Sequence, residues 1–173
     1  TSVQEINYEF IDLNTVIEDV KETLSEELEQ NDVTFNLHNI CDVKIIPVQF
    51  TQVIHNLISN SIKFAKADHP IVIEMDCEII EGTKTGIKAL ANDKHYCHIS
   101  YTDNGIGFEQ EFADKIFVPF QRLHARAEYK GTGIGLAICR RIVERHGGKI
   151  SARSELGHGT LFRIEIPVDN ALI

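Results

Sequence analysis

The chain has 173 residues, of which 43% are hydrophobic and 25% charged, an ordinary composition for one globular domain. Its formal net charge of −9 argues against non-specific binding to nucleic acid and against docking on an anionic membrane, because both need a basic surface. No signal peptide is visible, and no apolar run approaches the roughly 18 residues of a membrane span. We therefore expect a single soluble domain over residues 1–173.

The four cysteines share no C-x-x-C spacing and lie in apolar or strand-like stretches. We expect them to be small buried hydrophobic residues of a reducing compartment, with neither zinc nor disulfides. They are Cys41, Cys77, Cys97 and Cys139.

The first predicted elements are a short strand and a helix. Residues 7–14 alternate loosely between apolar and polar side chains, as a strand does, and Asp12 or Asn14 can then cap a helix that runs to about Gln30. Two further strands are predicted at 33–37 and 43–46, and Pro47 ends the second. The apolar stripe of the helix consists of Val16, Ile17, Val20, Leu24 and Leu28.

Residues 48–66 predict a second helix with two different sides. At roughly 100° per residue, Asn56, Asn60 and Lys63 fall within an arc of about 60°, while apolar residues fill the complementary arc. Asparagine is a poor residue for a helix interior, so a pair one turn apart needs a reason. Carboxamide oxygens suit Mg²⁺, and carboxamide and ammonium groups donate to phosphate oxygens. The alternative is a solvated face on which asparagine is tolerated.

The second half of the chain predicts strands at 71–77 and 96–103, joined by an extended hairpin loop over 79–94. A helix begins near Ile134 and stops at Gly147 and Gly148, and two strands at 149–154 and 160–167 follow. This order predicts an α+β fold. We expect a two-layer α/β sandwich in which about three helices cover one face of a mixed, mostly antiparallel sheet.

Two glycine-rich segments adjoin predicted elements. Asp103 opens DNGIG at the end of a strand, where its carboxylate can accept the exocyclic amine of a purine; an Asx turn that closes a hairpin is the alternative. The segment from Gly131 to Leu136, GTGIGL, opens a helix, where free N–H groups can meet phosphate. It is neither a Walker A loop nor a dinucleotide-binding motif.

Two shorter motifs stand near these segments. In FVPFQRL, Phe117 and Phe120 suit a local core, but Arg122 just past them could reach a phosphate at the mouth of a pocket. The stretch GHGT, which ends at Thr160, is typical of an ordinary hairpin turn when seen alone.

Taken together, these motifs resemble the ATP-binding catalytic domain of sensor histidine kinases, whose superfamily also holds type II topoisomerase, mismatch-repair and heat-shock chaperone ATPases. NLISNSIKF is similar to that family's N box, DNGIGF to its first glycine box, FVPFQRL to its F box, GTGIGLAI to its second glycine box and GHGT to its third. The resemblance covers nearly the whole chain. It implies the Bergerat ATP-binding fold, with residues 1–11 as an entry strand and linker from a dimerisation domain that is missing here.

The resemblance also implies roles for individual residues. Asn60 would ligate Mg²⁺ with Asn56 assisting, Lys63 would contact phosphate, and Arg122 would approach the γ-phosphate. Asp103 would bind the adenine amine. Residues 122–130 would be a mobile lid, in which Lys130 stands where many relatives carry glycine. The remaining nucleotide contacts would come from Gly105 and Gly107, which let the base lie close, from Gly131, Thr132, Gly133, Ile134, Gly135 and Leu136 around the triphosphate, and from Thr160 near the adenine.

The implied activity is transfer of the γ-phosphate of Mg·ATP to a histidine on the separate dimerisation domain, for relay to an aspartate of a response regulator. Hydrolytic relatives typically place a glutamate at the position of Asn56 to activate water, and asparagine cannot act as that base. The alternatives are a hydrolytic ATPase clamp of the same superfamily and a non-catalytic nucleotide-binding module. We expect a cytoplasmic domain without nucleic-acid or direct membrane contact, in a full-length homodimer with or without a membrane anchor.

Overall fold

A computed structural model describes residues 7–123 and 131–168 of the chain. These described residues contain four helices, seven strands and three short 3₁₀ turns. In chain order the elements are β1 (Glu9–Asp12), α1 (Leu13–Thr23), α2 (Ser25–Gln30), β2 (Val33–His38), β3 (Asp42–Ile45), α3 (Pro47–Lys63), β4 (Ile71–Glu81), β5 (His95–Asp103), α4 (Gly135–Arg145), β6 (Lys149–Glu155) and β7 (Gly159–Val168).

The main sheet has five strands in the order β2-β4-β5-β7-β6. Only the β2–β4 pair is parallel; the other three pairs are antiparallel. β1 and β3 form a separate two-stranded antiparallel sheet. The predicted α+β class and the mixed, mostly antiparallel sheet are confirmed. The long β4–β5 and β5–β7 ladders bring the end of β5, at Asp103, next to Thr160 on β7.

Helices α1, α3 and α4 form the second layer, in which α1 packs on α3 and α3 packs on α4. The predicted apolar arc of α3 lies in the core, since Phe50, Val53 and Leu57 are fully buried. Pro47 occupies the first helical position, where its missing N–H costs nothing, and Asp12 caps α1 by accepting a 2.8 Å hydrogen bond from the N–H of Asn14.

Three element boundaries differ from the sequence expectations. The first helix is interrupted at Leu24, which caps the end of α1, and the six residues of α2 that follow bury no side chain. Helix α3 ends at Lys63 rather than Lys66. Strand β4 continues to Glu81, because Ile79 and Glu81 still pair with β5, so the connection between the strands is shorter than predicted.

The lid predicted over residues 122–130 lies, from position 124 onward, outside the described residues, and so does Lys130. Within the described ranges 7–123 and 131–168, no helix is long and apolar enough to cross a membrane.

Candidate functional site

A cavity of about 350 Å³ opens between the C-terminal half of α3, the end of β5 and the start of α4. It brings together residues that lie as much as a hundred positions apart in the sequence. Three residues to which the resemblance assigns a role in the site do not line the cavity: Asn56, Gly105 and Ile134. Those of the predicted site residues that line the cavity are Asn60, Lys63, Asp103, Gly107, Arg122, Gly131, Thr132, Gly133, Gly135, Leu136 and Thr160.

Hydrogen bonds hold both carboxylate oxygens of Asp103. The N–H of Gly105 donates to Oδ1 at 3.0 Å, and the hydroxyl of Ser61 on α3 donates to Oδ2 at 2.7 Å. Ser61 Oγ is also 2.8 Å from the hydroxyl of Tyr101, which must be the donor in that pair because the proton of Ser61 is already committed. Burial raises the pKa of Tyr101 well above its usual value, so the phenol keeps its proton. The chain Tyr101–Ser61–Asp103 therefore fixes the carboxylate at the cavity wall.

A second hydroxyl pair lies beside Asp103, on β7 and β6. Thr160 is buried and pairs with Asp103 across the β5–β7 ladder. Its Oγ1 is 3.1 Å from Ser154 Oγ, and Ser154 donates its own proton to the carbonyl of Gly159 at 2.6 Å. Thr160 is thus the donor to Ser154, which leaves its lone pairs able to accept from a bound molecule.

The two glycines of DNGIG are required by protein packing. A Cβ on Gly105 would lie 2.7 Å from the carbonyl oxygen of Phe64, at the end of α3. Gly107 has a φ of +63°, and a Cβ there would collide with the carbonyl oxygen of Glu155. These close approaches seat the loop against α3 and the β6–β7 hairpin, where Gly107 forms part of the cavity wall.

Two cations meet at the glycine segment before α4. The guanidinium of Arg122 donates to the carbonyl of Gly131, and the same glycine lies against Nζ of Lys63. Burial, and then the nearby charge of Arg122, lower the pKa of Lys63. Two like charges held together at one end of a cavity favour a polyanionic ligand, because the ligand relieves their repulsion.

The start of α4 faces the same region. No side chain caps the helix, whose N-cap residue is Ile134, so its first N–H groups can meet phosphate. Asn56 donates from Nδ2 to the carbonyl of Gly135 at 3.1 Å and so ties α3 to this end of α4. Gly133, with a φ of +73°, accepts a 3.0 Å hydrogen bond from the N–H of Phe120, which anchors the F-box segment.

Sequence reasoning missed three residues that shape the site. Ser61 lies on the apolar arc of α3 and is buried. A hydroxyl side chain among predicted core residues was the sequence signal that could have identified it. Ser154 is an ordinary strand residue by pattern, and nothing in the sequence singles it out. Asn104 accepts from the N–H of Val72 and donates to the carbonyl of Pro70, both at 2.9 Å, so it joins the end of β5 to the start of β4.

The fold and the cavity define a class: a two-layer sandwich that binds a phosphorylated nucleotide between a helix edge and glycine-rich loops. The chain belongs to the histidine kinase-, DNA gyrase B- and HSP90-like ATPase family, whose model matches residues 45–170. The resemblance inferred from the motifs is confirmed, and ATP binding is the property that this family assigns to the domain.

The individual relatives are sensor kinases and their catalytic domains. The chain is 36% identical over 162 residues to the phytochrome-like protein Cph1 of Synechocystis, covering 93% of this chain and 20% of that protein. The solved catalytic domain of histidine kinase ThkA is 27% identical with a TM-score of 0.71, over 93% of this chain and 95% of that one. A structure of ThkA in complex with the response regulator protein TrrA is 24% identical with a TM-score of 0.68, over 96% and 43% of the two chains.

The chain spans about a fifth or less of the first curated relatives that it matches. What those whole proteins sense and phosphorylate is therefore a property of larger molecules.

Proposed function

We propose that this domain binds Mg·ATP and, in its full-length protein, transfers the γ-phosphate to a histidine on a separate dimerisation domain. The phosphate would then pass to an aspartate on the receiver domain of a response regulator. The similar sensor kinases and the catalytic domain of ThkA support the assignment to kinases. The observation that carries it is the cavity itself, in which a fixed carboxylate and a pair of cations face one space.

The polar groups of the cavity suit the two parts of ATP. Asp103, held by Ser61 and Gly105, can accept the adenine amine, and Thr160 beside it offers an acceptor. Lys63 and Arg122 at Gly131 can hold the phosphates together with the open N-terminus of α4. In a chain with a net charge of −9, this local pair of cations supplies the attraction that the overall charge does not.

Mg²⁺ fits the donor set, since Asn60 lines the cavity with a neutral carboxamide oxygen and Mg²⁺ usually takes one or two protein ligands together with phosphates and water. We assign Asn60 as the metal ligand. Asn56 would assist mainly by holding α4 in place through Gly135. When bound, Mg²⁺ neutralises charge on the phosphate oxygens.

The site favours transfer to a histidine over hydrolysis. Among the described residues that line the cavity, Asp103 is the one carboxylate, and both of its oxygens already accept hydrogen bonds. Position 56, one turn before Asn60, carries a carboxamide that cannot remove a proton from water at neutral pH. An imidazole needs positioning more than activation, so a separate histidine can serve as the nucleophile.

The proposal implies partners that the full-length protein would supply. Residues 1–11 would connect the domain to its dimerisation and phosphoacceptor domain, which would make the whole protein a homodimer. The response-regulator partner is supported by the fold likeness to the ThkA complex with TrrA. The domain would work in the cytoplasm, where ATP is available, without contacting nucleic acid or membrane.

Titration of the isolated domain with ATP, with and without Mg²⁺, tests the nucleotide site. We expect weak binding, on the order of micromolar to millimolar, strengthened by Mg²⁺. Asp103→Asn places a donor where an acceptor is needed, so affinity should fall by roughly ten- to a hundredfold, as expected for a lost hydrogen bond to a charged group. Asp76→Asn, on an exposed position of β4, is the matched control. Unaltered binding in Asp103→Asn would remove the adenine assignment.

A hydrolytic ATPase clamp of the same superfamily is the second candidate, and a non-catalytic nucleotide-binding module is the third. Steady phosphate release by the isolated domain would favour the clamp. The absence of both phosphate release and any phosphotransfer by the full-length protein would favour the module. We expect the isolated domain to phosphorylate nothing detectable, because the acceptor histidine lies elsewhere.

A further inference from the structure

Three of the four cysteines meet at one place in the fold, far from the nucleotide cavity. Cys41 lies between β2 and β3, Cys77 on β4 and Cys97 on β5. Their sulfur atoms all lie within 4.8 Å of one another, and those of Cys41 and Cys97 are 2.7 Å apart. The sequence spacing of these residues predicted no such cluster. We refer to the three residues as the thiol cluster.

The β4–β5 ladder explains how two members of the thiol cluster meet. Cys77 pairs with Ile99, and Cys97 stands two residues before Ile99 on the same strand. The two cysteines are therefore diagonal neighbours on the inward face of the sheet. The third comes from the β2–β3 connection, where the carbonyl of Cys41 accepts a 3.2 Å hydrogen bond from the N–H of Leu13 at the start of α1.

The arrangement differs from ordinary apolar packing. All three sulfur atoms lie within 4.8 Å of one another, close enough for a single ion with metal–sulfur bonds of about 2.3 Å to reach each of them. Two ligands of one tetrahedral ion lie roughly 3.8 Å apart, so the half-buried Cys41 would move outward from Cys97 when the ion binds. A disulfide would use two of the sulfurs and leave the third without a role. A metal ion uses all three.

We propose that Cys41, Cys77 and Cys97 form a three-thiolate site for a d¹⁰ metal ion, with Cu⁺ and Zn²⁺ as its candidate occupants. Binding replaces three S–H bonds by three metal–sulfur bonds and releases three protons to solvent. Soft thiolate ligands favour these ions over Mg²⁺ and Ca²⁺, which prefer oxygen ligands. Among the described residues, no histidine or carboxylate joins the thiol cluster. Cu⁺ is satisfied by three thiolates, whereas Zn²⁺ would take a water as its fourth ligand.

The surroundings suit a structural site with an entry path. Cys97 is fully buried and Cys77 nearly so, while Cys41 is half-buried, so an ion can arrive past Cys41. The ion would fasten the β2–β3 connection, and through Leu13 the start of α1, onto the centre of the sheet. Cys97 precedes Asp103 by six residues along β5, which separates the thiol cluster from the nucleotide site by roughly 20 Å.

Metal titration of the reduced domain under anaerobic conditions tests the proposal. Zn²⁺ would be titrated against a chromogenic chelator and Cu⁺ against bicinchoninate, which also decides between the two ions. We expect one equivalent per chain of at least one ion, bound at least tenfold more weakly by Cys41→Ser and by Cys77→Ala. Cys139→Ser is the matched control, because Cys139 is fully buried in α4, outside the thiol cluster, and should bind like the unmodified domain.

Thermal unfolding gives an independent readout. The bound ion should raise the unfolding midpoint of the unmodified domain and of Cys139→Ser, and leave that of Cys41→Ser unchanged. The same variants should bind ATP with unaltered affinity. The metal-site proposal can therefore be tested independently of the kinase proposal.

Two results would overturn the metal site. One is that the reduced domain binds neither ion, or binds them equally well after Cys41→Ser. The other is that the metal-free domain prepared in air loses the mass of two hydrogen atoms through a disulfide between Cys41 and Cys97, and the reduced form takes up no metal. That second outcome would assign the cysteines to a redox pair.

Discussion

The hydrogen-bonded chain from Tyr101 through Ser61 to Asp103 makes Ser61→Ala the most informative single substitution. The change removes a 2.7 Å hydrogen bond to the carboxylate and a 2.8 Å hydrogen bond to a phenol that is fully buried. A buried hydroxyl left without a partner costs about 1–3 kcal/mol. We therefore expect the free energy of unfolding to fall by about 2 kcal/mol, which lowers the unfolding midpoint by about 4–8 °C in a domain of this size.

The same substitution should weaken ATP binding by about tenfold, because Asp103 loses the donor that orients it toward the base. Calorimetric melting and ATP titration measure the two effects. Thr51→Ala is the control on the same helix, since its hydroxyl bonds only one turn back, to the carbonyl of Pro47 at 2.9 Å.

A double-mutant cycle with Tyr101→Phe separates the interaction from the loss of each hydroxyl. In Ser61→Ala/Tyr101→Phe no orphaned phenol remains, so the double variant should be destabilised by less than the sum of the two single variants. Strict additivity, or a Ser61→Ala variant that melts like the unmodified domain, would refute the hydrogen-bonded chain.

Three further predictions concern phosphate binding, packing and pH. Lys63→Met should weaken ATP binding by roughly tenfold and leave adenosine binding unchanged, as titration with each ligand would show; equal losses would contradict a phosphate role. Gly107→Ala should lower the free energy of unfolding by about 2 kcal/mol or more in denaturant melts. Gly86→Ala is the control and should cost less, because Gly86 has a similar φ of +69° but no atom near the position of an added Cβ. Equal losses of stability would contradict the predicted collision with Glu155. Burial lowers the pKa of His146, whose Nε2 accepts from a backbone N–H. The free energy of unfolding should therefore be highest above the unfolded-state pKa of about 6.5 and should fall as the pH drops below it. If the melting temperature of His146→Gln depends on pH as strongly as that of the unmodified domain, this histidine is not the cause.

Local patterns in the sequence predicted the features that depend on neighbouring residues. The strip of Asn56, Asn60 and Lys63 follows from helical periodicity alone, and the structure places Asn60 and Lys63, but not Asn56, on the wall of one cavity. Pro47 and Asp12 mark helix starts because capping is a matter of a few adjacent residues. The interruption at Leu24 was missed, since the apolar stripe continues across it to Leu28.

Contacts between distant parts of the chain were not predictable in the same way. Ser61 and Tyr101 are 40 residues apart, and Cys41 and Cys97 are 56 apart. Their meeting depends on how α3 and the β2–β3 connection lie against β5, which leaves no local signal in the sequence. Arg122 and Gly131, nine residues apart, were assigned to the same site through the motif resemblance, and the structure adds the hydrogen bond that joins them.

The pairing of Asp103 with Thr160 across two central strands has a consequence for selectivity. The groups that would read the purine stand on neighbouring strands inside the main sheet, whereas Arg122 and the segment from Gly131 to Gly133 lie in irregular connections beside the site proposed for the phosphates. Base preference should therefore tolerate little variation among natural sequences or engineered ones. The contacts that Arg122 and the segment 131–133 make to the phosphates can vary more between sequences, because changes in irregular connections leave the β5–β7 ladder intact.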